Sequence, residues 1–212
     1  FTIVCGMDPA IVGDTAAVAY AIDRSTSKRY ILDAIKITRP SPQQIRDIII
    51  NWTSLYSPSE WIIEKNAFQA FLTQDEGIKQ HLASRGVILR EHHTGGNKWD
   101  AGFGVASMST LFGTKQADGK HHRDNLIHLP SDQSEMVKAL IEQLITWTPT
   151  TKGKTDMVMA LWFCEIRARE MLNYGQYATH HLKNPFLSRA ELGKRVVINI
   201  DEALAAQNQT FV

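Results

Sequence analysis

The order of apolar and polar positions predicts first a set of strands and then an alternation of helix and strand. Residues Phe1 to Gly6 form a short apolar run that stops at Met7-Asp8-Pro9. Pro9 has no amide hydrogen to give to a ladder and ends a buried strand there. Thr15 to Ile22 and Tyr30 to Ile37 are two more such runs, joined by the polar stretch Asp23-Arg24-Ser25-Thr26-Ser27-Lys28. That is the pattern of a hairpin, so the first three strands form an antiparallel meander. The period then changes. Ile45, Ile48, Ile49, Trp52, Leu55 and Tyr56 recur at helical spacing. Ser41 suits the N-cap, Pro42 the first helical position, and Gln44 completes a capping box. Trp61-Ile62-Ile63 is a short buried strand that ends at Glu64. Phe68 to Ser84 reads as a second helix with Phe68, Phe71, Leu72, Ile78 and Leu82 inward. Gly86 ends it, and Val87-Ile88-Leu89 forms a fifth strand.

Strand, helix, strand, helix, strand implies parallel strands joined by crossovers. The expected fold class is therefore α/β. It is a mixed sheet of five or more strands, three antiparallel and then parallel, with helices on both faces. The second half is less regular. Thr94-Gly95-Gly96-Asn97 is a turn, Ala101 to Phe112 a short helix, and residues 113 to 123 an exposed loop or small hairpin. Leu126 to Leu129 is strand-like. Asp132 and Glu135 offer a capping box for a helix marked by Val137, Leu140, Ile141, Leu144 and Ile145. A last helix starts at Thr155 or Asp156 and is apolar nearly all round, so it should be buried. Beyond Leu172 the sequence turns polar. The expected organisation is one domain over residues 1–212, with a core at 1–171 and a peripheral tail at 172–212.

Composition narrows the function. The 212 residues are 43% hydrophobic and 21% charged, as in ordinary soluble proteins. The net charge of +1 is not that of a protein that grips nucleic acid by charge alone, so any such contact needs a local patch. The longest strongly apolar run, Met157 to Cys164, falls far short of the roughly 20 residues of a membrane span. Cys5 and Cys164 lack metal-ligand spacing and read as buried, reduced thiols of a cytosolic protein. The chain starts at Phe1 without an initiator Met and enters a strand at once. It reads as a piece of a longer protein, with nothing like a secretory leader.

Three acids sit where folding does not require them. Asp8 follows one buried strand, Glu64 follows another, and Asp156 opens a buried helix. If the first and fourth strands are parallel neighbours, their ends lie roughly 4.8 Å apart. Asp8 and Glu64 then share the carboxyl edge of the sheet, where active sites of such folds gather. Crowded carboxylates repel unless a proton or a cation intervenes. A hard divalent ion with oxygen ligands answers that need, and two ions about 3.5–4 Å apart can hydrolyse a phosphodiester. Taken singly, each acid has a plainer reading: Asp8-Pro9 as a turn, Glu64 as a solvated strand end, and Asp156 as a helix cap favoured by the dipole.

Taken together, the segments resemble a known family. Gly6-Met7-Asp8-Pro9-Ala10 with Gly13-Asp14, Trp61-Ile62-Ile63-Glu64-Lys65-Asn66, and Lys154-Thr155-Asp156-Met157-Val158-Met159-Ala160-Leu161 occur in this order. Asn97-Lys98 precedes a short helix, and Leu129-Pro130 precedes the helix at Ser131. The pattern spans roughly residues 2 to 170. It resembles the ribonuclease H-like nuclease superfamily and, within it, the C-terminal nuclease domain of the large terminase subunit of tailed bacteriophages. The resemblance implies a two-metal endonuclease that uses Mg²⁺ or Mn²⁺ to cut double-stranded viral DNA during genome packaging, with little sequence specificity. Asp8 would bridge the ions while Glu64 and Asp156 each complete one side. Asp14 matches an accessory acid that in some relatives orients water or binds metal; a Gly-Asp turn is the equal alternative. Many relatives carry a second acid directly after the last Asp, where this chain has Met157, which implies a weaker second ion. The family's ATPase motor is absent: no Walker-type GxxxxGK[ST] occurs here. The implied partners are DNA, that motor on the same parent chain, the portal and the small terminase subunit. The implied place is the host bacterial cytoplasm, at the viral procapsid.

Lys98, Lys115, Lys120, Arg123 and Lys154 are the expected phosphate contacts, with an ordinary solvated loop as the alternative for the basic stretch at 115–123. Trp99 and Phe103 can stack on bases, though core packing is favoured for both. The His pairs at 92–93, 121–122 and 180–181 form no zinc pattern and read as surface residues. Two rival functions remain: a recombination nuclease of the Holliday-junction resolvase kind, and a catalytically inactive module that docks on DNA or the portal. An actin-like ATPase ranks last, because no second Gly-rich phosphate loop follows a strand and Asp.

Overall fold

The computed structural model describes residues 1–10, 13–65, 75–112, 114–115, 121–123, 125–131, 133–150 and 154–172. Strand β1 (Thr2–Asp8) runs antiparallel to β2 (Asp14–Ile22), with Gly6 opposite Val18 and Asp8 opposite Ala16. Strand β2 pairs in turn with β3 (Arg29–Thr38), which closes the expected meander. Helix α1 (Pro42–Tyr56) follows, and β4 (Glu60–Glu64) returns parallel to β1, with Met7 opposite Ile63. Helix α2 (Glu76–Ser84) leads to β5 (Ile88–His92), parallel to β4. Short strands β6 (Thr114–Lys115) and β7 (His121–Arg123) form the separate small hairpin. Strand β8 (Ile127–His128) joins the main sheet parallel to β3. The sheet has six strands in the order β5-β4-β1-β2-β3-β8. This is the mixed ribonuclease H-like architecture.

The period of two along the central strands builds a core on each face. Val4, Ala16, Val18, Tyr20, Ile22 and Ile62 belong to the layer formed with α3 (Glu135–Thr146) and α4 (Asp156–Met171). Cys5, Met7, Ala17, Ala19, Trp61 and Ile63 face the other way, onto Ile45, Ile48, Ile49 and Trp52 of α1 and Ile78 and Leu82 of α2. Being covered on both sides, β2 is buried along its whole length, which explains its lack of polar alternation. Its alanines at 16, 17 and 19, all fully buried, let helices approach closely. Gly6 does the same on β1. A Cβ there would stand 2.1 Å from the Ala160 carbonyl oxygen and 2.8 Å from Cys164 Sγ, so α4 crosses β1 directly over Gly6.

At α1 the expected local signals are all present. Ser41 accepts from the Gln44 amide and Gln44 answers to the Ser41 amide, with Pro42 at the start. Its inward stripe continues through Thr53, whose hydroxyl accepts from Trp61 Nε1 at 2.9 Å, while Leu55 is exposed. Two expectations change. The helix expected over 68–84 does not run through Asp75, which is extended and caps a new start by accepting from the Ile78 amide. An Asp at an N-cap outweighs the apolar period on either side of it. Phe68, Phe71 and Leu72 lie outside the described residues. Likewise α3 is capped by Ser134, which accepts from the Val137 amide, rather than by Asp132. The short helix expected over 101–112 is a 3-10 helix over Val105–Leu111. Both cysteines are buried and free, as expected. No helix among the described residues is long and apolar enough to cross a membrane. Residues 173–212, with the expected tail, lie outside the description.

Candidate functional site

The face that each acid takes follows from strand alternation. Asp8 stands two and four residues beyond Gly6 and Val4, so it projects on the α4 side of the sheet. Glu64 stands two beyond Ile62 and projects on the same side. Because Met7 pairs with Ile63, Asp8 and Glu64 end adjacent parallel strands side by side. Helix α4 then brings in Asp156. Its Ala160 lies over Gly6. From that crossing, Asp8 is two strand residues away, about 6.6 Å, and Asp156 one helical turn away, about 6 Å. Helix and strand therefore deliver their acids to one place. Asp14, opposite Thr38 at the start of β2, projects on this face too.

Electrostatics confirm the crowding. Burial, then the charges of Glu64 and Asp156, then a hydrogen bond with Glu64 push the Asp8 carboxyl up to about 8, against a small downward pull from Lys98. Burial also raises Asp156, helped by the charge of Asp14 and opposed by its own helix-end amide, Lys154 and Lys36. Asp14 goes the other way. Lys154 Nζ lies 2.6 Å from its Oδ2, and that contact holds it below the ordinary carboxylate range. The ammonium of Lys154 is largely exposed while the Asp14 carboxylate is buried. Lys36, opposite Ala16 on β3, also lowers both Asp14 and Asp156. Sequence reading did not single out Lys36. The available signal was a lysine between Ile35 and Ile37 in a strand of the core.

Among the described residues, no three carboxylate, imidazole or thiol groups are drawn tightly enough together to cage an ion unaided. Asp8 and Glu64 adjoin, and Asp156 stands off at electrostatic range. The donor set nevertheless fits a hard divalent cation. It is all oxygen, it lies at one edge, and burial and mutual repulsion push the Asp8 carboxyl up to about 8 despite the nearby lysines. A cation would take the place of that carboxyl's proton. Met157, where the resemblance places a second acid in many relatives, is completely buried and belongs to the core.

The remaining expected residues fall as follows. Lys98 lies close enough to act on Asp8 and sits 4.8 Å from the centre of the Trp99 ring. Lys115 and Arg123 lie on β6 and β7, and Lys120 lies outside the described residues. Core packing fails for Trp99 and Phe103, which are 48% and 46% exposed. His92 is half-buried rather than a free surface residue. Its ring packs 5.1 Å from Trp162 and 5.0 Å from Phe163, and burial lowers its pKa. It pairs in register with Glu64, so a strand end that looks polar in sequence is tucked under α4.

No protein-family model matches the chain, and no curated protein matches its sequence. Solved structures do. The nuclease domain of the large terminase subunit gp2 of bacterial virus Sf6 matches over 77% of this chain and 87% of that one, with a TM-score of 0.52 and 9% identity. The large terminase nuclease of the thermophilic phage G20c matches over 82% of each chain, with a TM-score of 0.43 and 13% identity. RuvC of Thermus thermophilus matches over 81% of this chain and 98% of its own, with a TM-score of 0.42 and 14% identity. At these identities the likeness concerns the fold, and the Sf6 domain is the one whose overlap supports it. The chain thus has the ribonuclease H-like fold of a phage large-terminase nuclease domain.

Proposed function

We propose that this chain is a metal-dependent endonuclease that cuts double-stranded viral DNA during genome packaging. The single observation that carries the reading is the convergence of Asp8, Glu64 and Asp156 on one edge, where burial and then the neighbouring charges push the Asp8 carboxyl up. A fold that needs none of these acids for packing has no other reason to keep three together. Asp8, between the other two, would hold both ions. Glu64 would complete one ligand set and Asp156 the other, with Asp14 as accessory acid. Bound Mg²⁺ or Mn²⁺ supplies Lewis-acid activation of water and neutralises the leaving oxygen. The chain's own part is to give up the Asp8 proton on binding and to fix the ligands on rigid elements. It also presents Lys36, Lys98 and Lys154 to the phosphates around the cut. Lys115, Lys120 and Arg123 extend that contact along the backbone. Contacts of this kind position DNA without reading its sequence. The buried Met157 is consistent with a weaker second ion. The chain would act at the procapsid in the host bacterial cytoplasm. Its partners would be an ATPase motor of the same parent chain, the portal and the small terminase subunit.

Plasmid cleavage tests the reading. Supercoiled DNA is incubated with the protein and Mg²⁺, Mn²⁺ or EDTA, beside Asp8→Ala and a four-way junction substrate. Metal-dependent nicking and linearisation that disappears in Asp8→Ala is expected. Cleavage that survives the substitution places the active site elsewhere, and junction cutting far above duplex cutting turns the reading toward a resolvase.

A further inference from the structure

The segment from Gly95 to Gly104 is fastened at several points. Asp100 Oδ1 accepts from the amides of Gly102 and Phe103 at 2.8 and 2.9 Å. The Phe103 carbonyl accepts from Trp162 Nε1 at 2.8 Å, and the Gly102 carbonyl accepts from Arg169 Nη1 at 2.7 Å. Both donors belong to α4, so the segment is tied to the helix that carries Asp156. Gly104 is pressed against the Lys98 and Asp100 backbone, where a Cβ would come within 2.4 Å of an oxygen. A loop so held has settled the direction of its side chains. Yet Trp99 and Phe103 both point substantially into solvent.

Trp99 is also supported from behind. Its ring stacks on Trp147 at 6.4 Å between centroids and 25° between planes, and Trp147 is buried beside Val105, Met108, Leu144 and Val158. Val158 is two residues from Asp156. The outer part of Trp99 is therefore a braced aromatic surface whose support rests on the first turns of the helix that carries Asp156. Its neighbour Lys98 sits 4.8 Å from the centre of the ring and within electrostatic range of Asp8. An aromatic ring with a cation on it, beside a lysine-lined cluster of acids, matches the chemistry of a nucleotide: a π-face for the ring and a phosphate for the ammonium.

We infer that Trp99, with Phe103 exposed on the same fastened segment, is a stacking platform for an unpaired nucleobase of the DNA strand whose phosphate lies at the carboxylates. Duplex with all bases paired offers no free face to such a platform, so the preferred substrate is DNA opened or interrupted near the cut. When a base arrives, the Lys98 ammonium leaves the ring for the adjoining phosphate. The inference rests on the nuclease reading for its choice of ligand and adds to it a demand on DNA structure.

Binding separates the two. Asp8→Asn, made to block cutting, is titrated against a labelled duplex and against the same duplex with a two-nucleotide gap, in Ca²⁺ and by fluorescence anisotropy. A 2-aminopurine placed in the gap reports stacking by quenching. The gapped DNA is expected to bind about tenfold tighter, from the 1–3 kcal/mol that one stacked base contributes. Trp99→Ala, on the same background, should remove that preference and the quenching while leaving binding to intact duplex within about twofold. Trp99→Phe, which keeps a ring, should restore most of both. Equal binding of the two DNAs, or a preference that survives Trp99→Ala, overturns the platform. Should wild-type protein cut plasmid in an Asp8-dependent way while the preference is absent, the nuclease stands without the platform. A Trp99-dependent preference in a protein that cuts nothing leaves the platform standing and removes the nuclease.

Discussion

Replacing Asp8 by Asn should make the metal-free protein more stable, and increasingly so as pH rises. The folded-state value of about 8 stands well above the ordinary 3.8. A raised carboxyl value means that the folded state holds the proton more tightly than the unfolded state. The stability this gives is complete below about pH 4 and is lost progressively as pH climbs through about 8. Above that, the folded chain carries a half-buried charge facing two others. At about 1.4 kcal/mol per unit, a rise of about four units sets a ceiling of about 6 kcal/mol. Solvent at the partly open edge of the site and the nearby lysines reduce that ceiling, so about half of it is the better expectation. Asn keeps the shape and never ionises. Thermal unfolding followed by circular dichroism in EDTA, from pH 4 to pH 9, should show near-equal Tm values at the acid end. At the alkaline end Asp8→Asn should lead by roughly 6–12 °C for about 3 kcal/mol in a chain of this size. Added Mg²⁺ should shrink the gap, because only the wild type gains from binding it. An advantage that is flat with pH, or a mutant that is less stable throughout, would refute the crowding described around Asp8.

Three other substitutions probe the scaffold and the phosphate contacts. Gly6→Ala forces a methyl group into the Ala160 carbonyl, so α4 must lift from β1; a loss of roughly 3 kcal/mol or more is expected in urea unfolding, above ordinary overpacking because backbone is struck. Glu165→Gln strips the charge that faces buried Arg29 and also Arg169, at 3.1 and 2.9 Å, and should cost about 3–5 kcal/mol by the same measurement. Lys154→Met removes the partner of Asp14, and the salt dependence of DNA binding should become shallower by about one unit of log–log slope, with gel-shift or anisotropy titrations at several salt concentrations as the check. An unchanged slope would mean that Lys154 serves Asp14 alone.

The parts of the fold legible in sequence were those fixed by local chemistry. The capping box at Ser41 and Gln44, the proline after Asp8 and the buried period of α4 each state their element within a few residues. The juxtaposition of Asp8 and Glu64 was legible because one inference, that β4 lies parallel to β1, sets two strand ends level. What escaped depended on contacts between distant residues. The exposure of Trp99 reflects Trp147 behind it, 48 positions away in sequence (147 − 99), and the burial of His92 reflects Trp162 and Phe163 above it. The pairing of Asp14 with Lys154 crosses most of the chain. The break at Asp75 is a different kind of miss: two helical periods in phase conceal a cap between them.

Helix α4 is unequally held along its length. Its far half is pinned by ion pairs, Arg167 to Glu60 and Glu165 to Arg29, while at the near end Thr155 makes no side-chain cap and the Met157 amide donates to the neutral Gln143 Oε1. The crossing at Gly6 lies between them. Such a helix behaves as a lever with its pivot at the crossing and its short arm toward Asp156. With an arm of about 6 Å, a tilt of about 10° moves that carboxylate by about 1 Å. A change of that size separates an acid at electrostatic range from one in a ligand shell. A tilt of that size, with the crossing at Gly6 kept, would carry Asp156 up to or away from Asp8 and Glu64, so the reach of this acid is set by how firmly the first turn of the helix is held.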